Sequence, residues 1–383
     1  MKVTVVRPGE LGAAERVQWR TMQRATPCLD NPFLSAEFAQ TVGRFRQGTR
    51  VAVLTDGPRT VGFFPFERRA FGAGVPIASG LTDCQGVIHE PGLEWDPGEL
   101  LRGCGLASWE FDHLVDGQKP FEPHQVLRSP SPIMDLSSGY GTYLTQLRTN
   151  APKFLRTTRY KERKLGRDVA ELRFVYDLPD HHALRTLLTW KSAQYQRTGR
   201  TDRFARPWIV GLVEQLLATR SKDFAGILSM LYAGDEPVAG HFGLRTDHVL
   251  AGWFPAYDTR YAKYSPGLIQ HLRMAAEAAE VGIGYIDMGK GTREYKEALK
   301  SRDLTVAEGR VLRPSMAAAT YWASRAPLRA ARNLVLTHPA LLRNADRALK
   351  QLWTPAYGAA VPRPFSAPYG YLTERRVTGR WQL

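Results

Sequence analysis

The sequence predicts an α/β protein (α+β in detail) built as a tandem pair of similar domains, each a mixed, centrally splayed sheet flanked by helices, with a C-terminal helical tail. Length, an internal repeat and alternating strand and helix signals carry this reading. The 383 residues exceed one ordinary core and suit two. Segments about half a chain apart repeat one order of elements. Within each, the apolar period switches between that of a strand and that of a helix.

Composition narrows the class. Apolar residues make up 43%, aromatics 10% and charged residues 23% of the chain, the balance of a folded soluble protein and not of a disordered or fibrous one. The 52 Lys and Arg against 37 Asp and Glu give a formal charge of +15, which favours phosphates, nucleic acid, acidic glycans or a membrane surface as partners. Cys28, Cys84 and Cys104 are odd in number and far from metal or redox spacing. Reduced thiols in a cytosolic protein are expected, with no structural zinc or other metal. The opening MKVTVVRPGELG alternates briefly and stops at Pro8 and Gly9, which reads as a strand and not a signal peptide. No stretch reaches the run of about 18 uncharged apolar residues that a membrane span needs. A cytoplasmic location is therefore expected.

The repeat can be followed element by element. The strand Val3 to Val6 and a helix containing Trp19, Arg20, Thr21 and Gln23 correspond to Leu172 to Tyr176 and a helix containing Trp190, Lys191, Ser192 and Gln194. A second helix follows in each, Phe33 to Val42 and Trp208 to Ala218, entered through Pro32 and Pro207, where the missing proline donor costs nothing. Then come two hairpins, VAVLTDGPRTVGFFPF from Val51 and SMLYAGDEPVAGHFGL from Ser229, turning at Asp56-Gly57 and Gly234-Asp235. Each copy next places an aspartate on a short strand, Asp112 in WEFDHL and Asp287 in YIDMG.

The expected domains are residues 1–149 and 169–313, joined by a basic helix over 150–168 that carries Lys153, Arg156, Arg159, Lys161, Arg163, Lys164 and Arg167. Residues 314–383 are expected to form a tail, helical to about Trp353 and extended through Pro355, Pro362, Pro364 and Pro368.

Chemistry is expected in the second copy, where the two differ. Val249 to Ala256 reads as a strand in which Pro255 cannot donate to a ladder, so it should splay from its neighbour there. A polar aromatic loop, Tyr257 to Lys263, leads to Ser265, Pro266 and Gly267. Serine is a good N-cap and proline a good first helical residue. Leu268, Leu272, Ala275 or Ala276 and Ala279 have helical spacing up to Gly282. The free amides at that helix start, with Arg260 and Lys263 beside them, form a pyrophosphate cradle next to an opened strand.

An opened strand, a phosphate-binding turn and a helix are the central elements of the GNAT fold. WFPAYDTRYAKYSPG, followed by YIDMGKGTREYKEALK, resembles the CelD/BcsL-type GNAT N-acyltransferases, a double-GNAT family related to the Fem aminoacyl transferases. The resemblance implies a transferase taking acyl-CoA, acetyl or longer, as co-substrate. The donor would lie along Trp253, Phe254 and Ala256, with its phosphates at Tyr261, Lys263, Tyr264, Ser265 and Gly267. The family's usual glycine-rich loop is replaced here by Lys263 to Gly267. The catalytic candidates are Asp287 as base or amine anchor, with His241 and Glu294 behind it, Tyr295 as acid for the departing sulfur, and Lys296, which matches the Tyr-Lys pair closing the motif. Amides near Phe254 and Ala256 would hold the oxyanion. The acceptor, an amine of a sugar, amino acid or natural product, would sit near Trp190, Lys191, Tyr195 and Arg203.

Two rivals stand beside this. One is a Fem-type enzyme taking its acyl group from aminoacyl-tRNA, for which the basic linker would supply phosphate contacts. The other is a non-catalytic adaptor in polysaccharide or natural-product assembly, with the basic tail in peripheral contact with a membrane.

Overall fold

The computed structural model describes residues 1–313; the tail expected over 314–383 lies outside the described residues. The first half opens with β1 (Lys2–Val6), α1 (Ala13–Ala25) and α2 (Ala36–Phe45). The second of these helices begins later than its proline suggests. Pro32 opens a short 3₁₀ turn, Pro32–Leu34, and Ser35 caps α2 by accepting the Phe38 amide at 3.1 Å. Then follow β2 (Thr49–Asp56), β3 (Arg59–Arg68), β4 (Ala73–Val75), β5 (Ile88–His89), α3 (Pro97–Gly103), β6 (Ser108–Val115) and β7 (Gln125–Asp135).

Two helices, α4 (Gly139–Asn150) and α5 (Pro152–Asp168), lead into the second half. It contains β8 (Leu172–Val175), α6 (His181–Arg197), α7 (Pro207–Ala218), β9 (Ala225–Ala233), β10 (Glu236–Arg245), β11 (Val249–Tyr257), α8 (Pro266–Glu280), β12 (Tyr285–Asp287), α9 (Glu294–Leu299) and β13 (Arg302–Leu312). Both hairpins turn as read from the sequence: Asp56 opposes Arg59 and Ala233 opposes Glu236. Gly57 and Gly234 stand at φ 56 and 61, a conformation that glycine adopts without steric cost.

All the strands join one 13-stranded sheet, in the order β1-β2-β3-β4-β6-β13-β7-β12-β11-β10-β9-β8, with β5 on β3. At its centre the halves exchange their last strands. The C-terminal β13 lies between β6 and β7, and β7 of the first half pairs antiparallel with β12 of the second, Asp287 opposite Ile133. Two prolines inside an interior strand are unusual, and their orientation explains them. The carbonyls of Pro130 and Pro132 accept Gly291 N and Met288 N at 3.2 and 3.0 Å, so their missing donors also face the turn after β12. The alternate residues keep the ladder to β13, as in the Ser301 N to Ile133 carbonyl bond of 2.8 Å.

The expectation of two separate cores gives way to a shared one. The largest apolar cluster joins Trp19, Phe33, Phe38 and Phe63 to Leu184, Leu212, Phe242 and Trp253. Trp19 stacks on Phe63 at 4.7 Å, and Phe33 meets Trp253 edge to face at 5.1 Å. Each such ring taken from water stabilises by about 1.5–3 kcal/mol, so neither half buries its apolar face without the other. At the rim, Arg24 of α1 meets Asp223 at 2.6 Å and also pairs with Asp247, again across the halves.

Candidate active site

The parallel pairing of β11 with β12 covers only Val249, Leu250 and Ala251. From Gly252 onward β11 leaves β12 while staying on β10, so the expected splay is present and starts before Pro255. A bulge between Phe242 and Gly243 of β10 turns the strand at this place. The ladder settles which groups face the gap. Asp258 N donates to the Val238 carbonyl at 3.1 Å, and alternation from that bond aims the amides of Ala256 and Phe254 at β10. The expectation that these amides are free for an oxyanion is therefore corrected. The open edge instead presents the Pro255 carbonyl, which Lys191 Nζ of α6 holds at 2.8 Å.

Two glycines let the site close up. A Cβ on Gly252 would stand 3.0 Å from His241 Nε2 and 3.1 Å from the Asp287 carbonyl, so the imidazole and the end of β12 converge on bare backbone. Gly289, at φ 75, turns the chain after β12 so that Lys296 Nζ reaches the carbonyls of Gly289 and Lys290 at 2.6 and 3.1 Å. Tyr295 stacks on His271 of α8 at 5.6 Å, and His271 lies 6.0 Å from His241. His241, Asp287, Tyr295 and Lys296 are thus brought to one gap, with Glu294 exposed at the start of α9.

Electrostatics here follow burial. Asp287 is 5% exposed, and burial pushes its carboxyl upward against the hydrogen bonds from Gly289 N and Ser131 Oγ. Burial draws the Lys296 ammonium down to about 8, with Asp83 and Asp287 opposing. Burial, together with Arg293, Arg200, Arg203 and Lys296, draws Lys191 down to about 7. His241 is held well below its usual value, and His271 at about 4, mainly by burial. Both imidazoles are neutral near pH 7, and the Nδ1 atom of each has no hydrogen-bond partner among the described residues.

The turn before α8 differs from its expected form. Ser265 is left-handed, at φ 52 and ψ 53, and makes no side-chain cap. Its hydroxyl accepts Lys161 Nζ of the linker helix at 2.9 Å. In the first turn of α8 Pro266 has no N–H and Leu268 N donates to the Ser265 carbonyl at 3.0 Å, which leaves the Gly267 amide to face a ligand, and Lys161 adds a cation. Tyr264 is buried, its hydroxyl on Asp168 at 3.2 Å, while Tyr261 lies under Arg260 and Lys263 Nζ lies 4.9 Å over the Tyr264 ring. Arg260 is committed to Asp258 at 2.7 Å. A Cβ on Gly267 would meet only Tyr257, at an ordinary 3.5 Å, so this side of the turn is open. A phosphate-bearing ligand fits these residues: the Gly267 amide at a helix start, an ammonium and an unblocked approach.

Trp253 and Phe254 face the shared core, the indole Nε1 donating to the Leu81 carbonyl at 2.8 Å. Only their backbone is at the splay. Trp190 packs on the same core, and Lys191 Nζ lies 5.4 Å over the Tyr195 ring, with Arg203 among the charges acting on Lys191. Sequence reasoning missed His271, Ser131, Asn31 and Asp83, and named Lys161 only as one of the linker helix's basic residues. His271 sits within the apolar spacing of α8, and the others arrive from distant segments.

Among the described residues no helix is long and apolar enough to cross a membrane, and no group of three or more His, Cys, Asp or Glu is placed to hold a metal ion.

Residues 152–297 match the family described as the acetyltransferase (GNAT) domain. No curated protein matches the chain. Among solved structures, FemX is similar at 9% identity and TM-score 0.55, with 81% of this chain and 96% of that one covered. A conserved protein of unknown function from Bacteroides thetaiotaomicron is similar at 12% identity and TM-score 0.51, over 79% of this chain and 98% of that one. At such identities the likeness concerns the fold, and the fold is GNAT-like.

Proposed function

We propose that the chain is an N-acyltransferase moving an acyl group from a CoA thioester to an amine, at the gap between β11 and β12. The observation that carries this is the splay itself, lined by Lys296 and Lys191 and ending in the cationic turn before α8, all of them within the GNAT-matched residues 152–297. The donor's phosphates rest on the start of α8 with Lys161, and its acyl end reaches Gly252. Direct attack needs a deprotonated, aligned amine and a stabilised tetrahedral oxyanion. Lys296 has two of its three donors on carbonyls and offers the third, with its charge, to that oxygen. Tyr295, kept protonated by burial, returns a proton to the leaving sulfur.

Acetyl-CoA or a longer acyl-CoA is expected to raise the melting temperature of the purified chain, and Gly267→Trp to weaken that donor binding at least about tenfold without unfolding it. Absence of any thermal shift with acetyl-CoA, octanoyl-CoA and free CoA overturns the donor assignment. An aminoacyl-tRNA donor is the second reading, favoured by the exposed Lys153, Arg156, Arg163 and Arg167 of α5. Persistence of acyl transfer with purified acyl-CoA after ribonuclease treatment removes it.

A further inference from the structure

The splay of the second half also holds a carboxylate from the first. The loop 76–87 between β4 and β5 spans the gap between β11 and β12. At one side Trp253 of β11 donates to its Leu81 carbonyl. At the other, Asp83 sits against the turn after β12: a Cβ on Gly289 would lie 3.2 Å from Asp83 Oδ2 and 4.0 Å from Lys296 Nζ. Ala78 in this loop is left-handed, at φ 49, a conformation that costs a non-glycine residue about 1–2 kcal/mol and persists where the surroundings impose it.

Asp83 and Asp287 share the gap and differ in their commitments. Asp287 accepts from Ser131 Oγ at 2.9 Å, Gly289 N at 2.8 Å and Asn31 Nδ2 at 3.4 Å, which makes it an anchor of the Gly289 turn. The Asp83 side chain is 30% exposed, and among the described residues its one charged contact within ion-pair reach is His113 Nε2, 3.7 Å from Oδ1. His113 Nδ1 in turn lies 3.1 Å from Asp112 Oδ1, off the line a hydrogen bond needs. Gln85 fixes that end: its Nε2 donates to Asp112 Oδ1 at 2.6 Å, and its Oε1 accepts the amides of Asp112 and His113. Burial opposes charge on His113, yet contact with Asp112 and the field of Asp83 outweigh it and raise the imidazole above its usual value. The other groups acting on or near Asp83 are Lys296, Asp287 and the buried thiol of Cys84.

We propose that Asp83 binds the acceptor's ammonium group at the splay and takes its proton, with His113 and Asp112 as positioning residues behind it. This rests on the acyl-transfer reading and assigns the first half a catalytic residue. Asp83 removes one proton from R–NH3⁺, and the freed lone pair forms the C–N bond as the carbonyl electrons move onto oxygen. Collapse breaks the C–S bond. Sulfur leaves with that electron pair and receives the second nitrogen proton by way of Tyr295. The products are an amide, a thiol and the proton that Asp83 passes to solvent. The ligand class is a primary amine presented as a cation, for which a partly exposed carboxylate beside bare backbone at Gly289 is suited.

Two measurements on the full chain test this. In crystals soaked with rubidium as an ammonium-sized probe, an anomalous peak is expected within bonding distance of Asp83 Oδ2 in the wild type and absent in Asp83→Asn. No peak in either overturns the ammonium site, whatever the enzyme's activity. In thiol-release assays with acetyl-CoA and a panel of primary amines, Asp83→Asn is expected to lower kcat/KM for the amine at least 100-fold with CoA affinity within twofold. His113→Gln should raise the amine KM more than it lowers kcat, with recovery in His113→Lys. Full activity of Asp83→Asn in a working enzyme overturns the proposal and leaves the acyl-transfer reading standing. A wild type that neither binds CoA nor turns over, yet shows the rubidium peak, overturns the acyl-transfer reading and the proton transfer with it, and leaves only the ammonium site.

Discussion

The two halves of the sheet start alike and part at their parallel strand pair. In the first, β4 meets β6 over Ala73 and Gly74 and ends at Val75. In the second, β11 meets β12 over Val249 to Ala251, runs on to Tyr257, and is followed by a left-handed turn and the long helix α8. A splayed strand makes a site only if it continues past the splay and meets a helix start beyond it. The first half lacks that continuation, and its spare segments furnish the other side: Pro130 and Pro132 brace the turn after β12, Ser131 and Asn31 hold Asp287, and loop 76–87 crosses the gap. The first half is thus built into the gap of the second.

The comparison can be broken at several levels. The largest effect is expected from separation. Residues 150–313 expressed alone lack β7 and the first half of the shared core, so no cooperative unfolding transition should be seen by circular dichroism, and co-expression with residues 1–149 should restore solubility. Independent folding of 150–313 would make the exchanged strand dispensable. Next, Lys296→Ala removes the ammonium held on the Gly289 and Lys290 carbonyls, and kcat/KM is expected to fall about 10²–10³-fold with the melting temperature little changed.

A subtler effect concerns Lys191, which burial draws down to about 7 from its ordinary 10.5. Between those values the unfolded chain binds more protons than the folded one, so this group's contribution to stability rises with pH. Lys191→Met should therefore stabilise the fold by at least about 1 kcal/mol below neutral pH, with the advantage shrinking toward pH 10; denaturant titrations at pH 6, 8 and 10 check this. The smallest effect is expected at the rim, where Arg24→Ala breaks exposed pairs with Asp223 and Asp247 and should cost no more than about 1 kcal/mol.

Much of the fold was legible because it is local. The hairpins announce themselves at Asp56-Gly57 and Gly234-Asp235, and α8 through its spacing and Gly282. The splay of β11 was legible too, although it starts where the β12 pairing ends and the ladder to β10 shifts at Trp253, ahead of Pro255. Ser265 shows the limit of a local rule: residue type suggested a cap, but Lys161, from a helix far back in the chain, takes its hydroxyl. β7 was unreadable because Pro130 and Pro132 deny it a strand pattern, and only the position of β13 shows which edge they leave bare. Asp287 reads as base or amine anchor because it stands at a strand end; of its three donors only Gly289 is nearby, while Ser131 and Asn31 come from segments that no nearby sequence reveals.

The exchanged strands bear on how the chain is made. Ser108 of β6 pairs with Leu312 of β13, so the first half, though synthesised first, has an unpaired strand edge until almost all of the described chain has left the ribosome. Such sequence-distant pairing slows folding and exposes nascent edges to aggregation. The molecule is thus committed to folding as one late, cooperative event, and shortening the chain from its C-terminal end past Leu312 should first harm the half that was made earliest.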